Sequence, residues 1–219
     1  MGYTAHVDTF VREHLPPRGL WPEFVFERPE FVYPARLNCA TELLDRMVAG
    51  ADGITAADRP AIHGLVKGRP CTWTYRQLLA QANRIAHVLT ADLGLVPGNR
   101  VLLRAPNNPM MAACWLAVMK AGGVAVSTMQ LLRARELGQI IGKARVGLAL
   151  CDIRLVAELE AAAAQCPDLQ RIVVFNRHLH RAEALVRFFG KSAAHMELRA
   201  MPWHESIIEA ELAKAKVLV

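Results

Sequence analysis

Apolar positions fall at two different spacings along the chain, and their alternation predicts its architecture. From Leu78 to Leu89, apolar residues recur every three or four places (Leu78, Leu79, Ala82, Ile85, Ala86, Leu89). That is the period of a helix with one buried face. Thr74 precedes the run and Gln77 stands three residues later. This capping-box pattern places the helix start, and such a cap contributes about 1 kcal/mol. Upstream, Ala61–Val66 and Arg69–Thr74 flank Lys67-Gly68. They read as a β-hairpin in which Gly68 supplies the positive φ of a tight turn. Gly94 ends the helix and Pro97-Gly98 makes the next turn.

From Val101 the pattern changes to short apolar runs alternating with helical stretches. Val101–Leu103 has no polar alternation, as expected of a parallel strand buried on both faces. Asn108 is the predicted N-cap of the following helix, with Pro109 at its first position and Gly122 at its end. Val124–Val126 is the next strand. Leu137, Ile140, Ile141 and Ala144 mark a helix, and Gly147–Leu150 a strand. Asp152 caps a helix running through Ala164, Pro167 follows it, and Ile172–Phe175 is another strand. Alternating β and α elements of this length imply an α/β fold, a parallel sheet flanked by helices.

The two ends read differently. Residues 1–36 are rich in proline and aromatics, which blocks continuous helix or central strand. An extended arm over the surface is expected there. Leu37–Met47 then gives a short helix with Leu43, Leu44 and Met47 on its apolar face. Residues 37–176 form the α/β domain. Residues 177–219 hold four of the eight histidines and no clear strand, and Trp203, Ile207, Ile208, Leu212 and Ala215 fit one amphipathic helix. This last segment is expected to be a divergent helical tail.

Composition narrows the function classes. With 53% hydrophobic and 21% charged residues, a sizeable core can form. The net charge of +6 is spread along the chain and not gathered into an arm. A basic nucleic-acid stripe is therefore not indicated. A mild positive field suits a phosphate-bearing small molecule, and solubility alone explains it equally well. The five cysteines, at 39, 71, 114, 151 and 166, are too widely spaced for a zinc knuckle or a redox pair. They read as reduced thiols of a cytoplasmic protein. The first residues carry no apolar signal core. The longest apolar run, Met110–Met119, is too short to cross a bilayer, so no membrane partner is expected.

Open parallel sheets bind ligands beyond the carboxyl ends of their strands. Here those ends are Arg104–Asn107, Ser127–Gln130, Cys151–Asp152 and Asn176-Arg177, and none is glycine-rich. No dinucleotide fingerprint or nucleophile elbow occurs. Gly190-Lys191-Ser192 looks superficially like a phosphate loop, but Leu185 stands where that loop needs glycine. His178 and His180 lack accompanying ligands, so no metal site is expected. Arg133 and Arg135 flank a turn just after a strand end. They fit either a phosphate grip or the solvated first turn of the next helix.

Arg100–Ile141 carries a resemblance. Lys120-Ala121-Gly122-Gly123-Val124 is similar to the Lys-Ala-Gly signature of adenylate-forming acyl- and aryl-CoA ligases. Thr72-Trp73-Thr74-Tyr75 and Asn83-Arg84-Ile85-Ala86 resemble the first helix of that family and its lead-in. Leu37-Asn38, Leu43-Leu44-Asp45-Arg46 and Pro106-Asn107-Asn108-Pro109 resemble the benzoate- and 2-aminobenzoate-CoA ligase branch. The resemblance covers about residues 20–176 and implies a truncated N-terminal subdomain of the adenylate-forming ligase fold. It implies a carboxylate attacking the α-phosphate of ATP, with Mg, followed by displacement of AMP by the coenzyme A thiol. The aromatic carboxylate is the implied substrate partner.

The family's phosphate loop and catalytic lysine have no counterpart in these residues, so no catalytic residue is assigned and the chain is expected to be inactive alone. A frameshift, a premature stop or a gene fragment would produce that pattern. Arg133 and Arg135 occupy the turn where some relatives contact the phosphate of coenzyme A, with Gln130 where relatives commonly have proline. The second reading is a non-catalytic α/β module that binds a partner protein. Either reading leaves self-association through an uncovered apolar face as an expectation.

Overall fold

The computed structural model of the chain describes residues 4–23, 25, 28–34, 36–50, 54–66, 68–176 and 197–202. Its elements, in chain order, are α1 (Phe10–Glu13), α2 (Arg46–Ala49), β1 (Pro60–Val66), β2 (Arg69–Thr74), α3 (Tyr75–His87), β3 (Arg100–Arg104), α4 (Pro109–Lys120), β4 (Val124–Ser127), α5 (Ala134–Ala144), β5 (Leu148–Asp152), α6 (Val156–Ala163), β6 (Arg171–Asn176) and β7 (Glu197–Pro202). The chain divides into two compact units. One is Met1–Asn99 with Leu116–Val124, and the other is Arg100–Trp115 with Ala125–Val219.

In the first unit β1 and β2 form the expected antiparallel hairpin, with Val66 opposite Arg69 and Gly68 at φ +73°. Thr74 then caps α3. Its side chain accepts from the Gln77 N–H, and the Gln77 side chain accepts from the Thr74 N–H at 2.9 Å. Leu78, Ala82, Ile85 and Ala86 are buried on one face of the helix, and Leu89 beyond its end is buried too. The arm over residues 1–36 is not uniformly extended. It contains α1 and two short tight turns, Arg18–Leu20 and Pro29–Phe31. Near its start the arm is held where the N–H groups of Val7 and Asp8 both donate to the Pro97 carbonyl at 2.9 Å and the Asn99 side chain donates to Asp8 at 2.9 Å. Gly98 has φ +94°, and a Cβ there would sit 2.1 Å from the Asp8 carbonyl oxygen. Only glycine lets the arm lie that close.

The segment Leu37–Met47 departs from expectation in its face. Thr41–Asp45 winds as a wider π-type turn before α2. The widening rotates the side chains, so Leu44 is buried while Leu43 is 52% exposed.

The second unit holds the sheet, in strand order β4-β3-β5-β6-β7, with β3–β5, β5–β6 and β6–β7 parallel. All five residues of β3 and all five of β5 are buried. The core of this unit gathers Leu102, Ala149 and Ile172 from the sheet, Leu137 and Ile141 from α5, and Leu159 and Ala163 from α6. The stretch after Asn176, read from sequence as strandless, contains β7, which pairs with β6 from Arg171–Glu197 to Asn176–Pro202. Glu197 and Arg199 are charged and a proline ends the strand, so it shows no continuous apolar run of the kind that marks β3, β5 and β6. The expected helix over Trp203–Ala215 lies outside the described residues.

Candidate functional site

The carboxyl ends of β3, β4 and β5 build the region where a parallel sheet would take a ligand. Arg104 closes β3 and is 1% exposed. Its Nε donates to the Leu155 carbonyl at 3.2 Å. Its Nη1 donates to that of Met129 at 3.0 Å. Its Nη2 donates to Gln130 at 3.2 Å and Leu132 at 2.8 Å. Burial pushes the guanidinium below its usual pKa, yet arginine stays charged in proteins. Sequence reasoning missed this residue's role. The available signal was an arginine directly after the apolar run Val101–Leu103.

Thr128, just past β4, is also buried. Its hydroxyl donates to the Leu103 carbonyl at 3.0 Å, as does its backbone N–H. Asp152 ends β5 and takes a bidentate contact from Arg154, at 2.8 Å from Nε and 2.9 Å from Nη2. It also accepts the Arg154 N–H at 2.9 Å, which starts the turn into α6.

Arg133 and Arg135 both lie at the start of α5, on the exposed side. The Arg133 guanidinium pairs with Glu158 at 2.9 Å. The second Glu158 oxygen accepts the Ala134 N–H at 2.9 Å, and the Arg133 N–H goes to Glu136 at 3.0 Å. The Ala134 N–H first, then Arg133, hold Glu158 below the usual carboxylate range. Arg135 carries no ion pair among the described residues and projects into solvent. The structure therefore gives the two arginines different roles, one tied to a carboxylate and one open.

A crevice of about 10 Å³ lies between Leu103, Asn108, Met111, Cys114, Leu150 and Asp152. That is the space of roughly one water. Asn108 acts as expected, its side chain accepting the Met111 N–H at 2.9 Å to start α4. Burial pushes the Cys114 thiol up to about 12 and the Cys151 thiol up as well, so neither supplies a thiolate nucleophile at neutral pH. All five cysteines are free thiols. Glu160 on α6 is buried, its Oε1 has no hydrogen-bond partner, and burial pushes its carboxyl up to about 7.

In the first unit the residues quoted for the resemblance converge. Lys120 Nζ meets both oxygens of Asp45, at 2.6 and 2.7 Å. Asn38 donates to the carbonyls of Met119 and Lys120 at 3.2 Å each, capping the end of α4. Gly122, at φ +76°, packs under Pro97, and Gly123 lies against Val118. The lysine thus serves the architecture of this unit. His178, His180 and Gly190-Lys191-Ser192 lie outside the described residues. Among the described residues no metal-ligating cluster occurs, and no helix is long and apolar enough to cross a membrane.

Comparison with known proteins gives these features a family. A family model described as AMP-binding enzyme matches residues 54–207, most of the chain and past Asn176. Mouse mitochondrial acyl-coenzyme A synthetase ACSM5 is 31% identical over 103 residues, covering 47% of this chain and 18% of that protein. The salicyl-AMP ligase / salicyl-S-ArCP synthetase of Mycobacterium tuberculosis is 33% identical over 124 residues, covering 54% of this chain and 20% of that protein. Among solved structures, the anthranilate CoA ligase AuaEII in complex with anthranoyl-AMP matches with a TM-score of 0.57 at 22% identity, covering 67% of this chain and 26% of that one. The chain belongs to the AMP-binding enzyme family and has the α/β fold of the adenylate-forming ligases. It spans about a fifth of the length of these two curated relatives.

Proposed function

We propose that the chain supplies the amino-terminal α/β portion of an ATP-dependent ligase that joins an aromatic carboxylic acid to coenzyme A through an acyl-adenylate. The observation that carries this is the family match over residues 54–207. The aromatic substrate class draws support from the salicylate- and anthranilate-activating proteins among its relatives, and from the residues that resemble the benzoate and 2-aminobenzoate branch. ATP with Mg and coenzyme A would be the co-substrates. Arg135, exposed and unpaired at the start of α5, suits a phosphate of coenzyme A. Arg133 suits one only by exchanging its contact with Glu158.

Alone, the chain is expected to be inactive. The crevice at the strand ends holds about one water, far below the several hundred Å³ of an ordinary ligand pocket. The test is ATP–pyrophosphate exchange by the 219-residue chain with benzoate, 2-aminobenzoate, salicylate and a medium-chain fatty acid. No exchange is expected from the chain alone. Exchange is expected with the aromatic acids once the downstream part of an aryl-CoA ligase is added or fused. Exchange restored by the fatty acid in preference to the aromatic acids would overturn the substrate class, and exchange by the chain alone would overturn its dependence on a second part.

A further inference from the structure

Three of the four carbonyls held by Arg104 belong to one short turn, that of Met129, Gln130 and Leu132. The turn leads from β4 directly into Arg133 and α5. The fourth carbonyl, Leu155, belongs to the turn after β5. None of these acceptors is a carboxylate, so the direct contacts are all peptide dipoles, with Glu158 adding attraction through space. An apolar side chain in this position would avoid the desolvation of a cation but would take the shared donor away from carbonyls of two separate turns. The middle of the turn has few side-chain anchors. Met129 is 62% exposed and Leu131 is 76% exposed, so neither anchors it in the core. Its ordered start is Thr128 on the Leu103 carbonyl. Beyond that the Leu132 N–H donates to the Met129 carbonyl at 3.2 Å, the Leu132 side chain packs against the core, and the guanidinium ties the three carbonyls together. A planar fork of five donors can reach carbonyls from two separate turns at once, which a lysine ammonium cannot match.

We infer that Arg104 is a positioning residue: it fixes the 129–132 turn and thereby the direction in which Arg133 and Arg135 present charge to a phosphate-bearing ligand. The ligand half of this statement rests on the reading given under the proposed function, and the clamp half does not. Arg104 touches no ligand itself. It acts through the backbone that precedes the two arginines.

The test uses the 219-residue chain and begins with the unaltered protein. In nitrogen-15 NMR the Nη–H signals of Arg104 are expected to be individually resolved and slow to exchange, while those of Arg135 average. Averaged, fast-exchanging Arg104 signals would overturn the clamp without any variant having to fold. In Arg104→Lys, the amides of Leu132, Arg133 and Ala134 are expected to exchange at least tenfold faster, with those of Leu150 and Val173 within twofold of the parent. A uniform increase, or none, would overturn the clamp. Titration with coenzyme A is expected to shift the Arg133 and Arg135 side-chain signals in the parent and to shift them less in Arg104→Lys. A clamp that passes both tests while coenzyme A moves neither arginine would retain the positioning of the turn and overturn the phosphate ligand.

Discussion

Two sheltered cations in this chain are neutralised in opposite ways. Lys120, in the first unit, meets one carboxylate, Asp45, with both oxygens within 2.7 Å. Arg104, in the second, meets four carbonyls and no carboxylate. The lysine pair is partly wet, with the side chains 20% and 36% exposed. The arginine is dry. A carboxylate partner cancels a charge at one point, and either member can be exchanged with modest loss. Carbonyl partners cancel nothing in net charge, but they join separate stretches of backbone to one side chain.

The sharpest way to break the comparison is Arg104→Met. It takes the guanidinium away from four carbonyls of two turns, and the expected loss is about 2–4 kcal/mol by urea denaturation. A loss under about 1 kcal/mol would place Arg104 in the same class as Lys120. Glu160 is a buried ionisable group whose Oε1 has no hydrogen-bond partner. Its carboxyl is pushed up to about 7 by burial. Between the ordinary glutamate value near 4.5 and about 7, the folded chain holds a proton that the unfolded chain has released, so stability falls as pH rises through this window. Glu160→Gln is expected to be more stable than the parent by about 1–3 kcal/mol at pH 8 and indistinguishable at pH 4. Equal stability at both pH values would show Glu160 to be compensated.

On the wet side, Lys120→Met and Asp45→Asn are each expected to cost about 1 kcal/mol, with a double-mutant coupling no larger than that. A coupling above about 2 kcal/mol would erase the distinction between the two regions. The smallest effect belongs to Arg145, at φ +46° after α5. Arg145→Gly is expected to gain about 0.5–1 kcal/mol, read from the thermal midpoint, because glycine adopts that conformation without strain.

The same contrast explains what could be read in the sequence. The hairpin, the Thr74–Gln77 box and the Asn108-Pro109 helix start were legible because each is set by residues a few places apart. Leu43 was misplaced because a widened turn, which has no sequence sign of its own, rotated its face. β7 was missed because Glu197 and Arg199 interrupt its apolar positions and Pro202 ends it, so it lacks the apolar run that marked β3, β5 and β6. At the site, the position of Arg133 and Arg135 at the start of α5 was foreseen. The carboxylate at Arg133 was not, because Glu158 comes from another helix. Arg104 was read only as part of a strand end, and its clamp was hidden for a related reason: its partners are backbone groups, and a carbonyl has no letter in a sequence.

The start of α5 gives any incoming anion a particular thermodynamics. The Ala134 N–H already holds Glu158 and the Arg133 N–H already holds Glu136. Binding there is a swap of one negative group for another, so the affinity measured would be a difference between two similar attractions and not the full value of either. At Arg133 and the two occupied N–H groups a ligand gains only by what a phosphate offers beyond a carboxylate already in place.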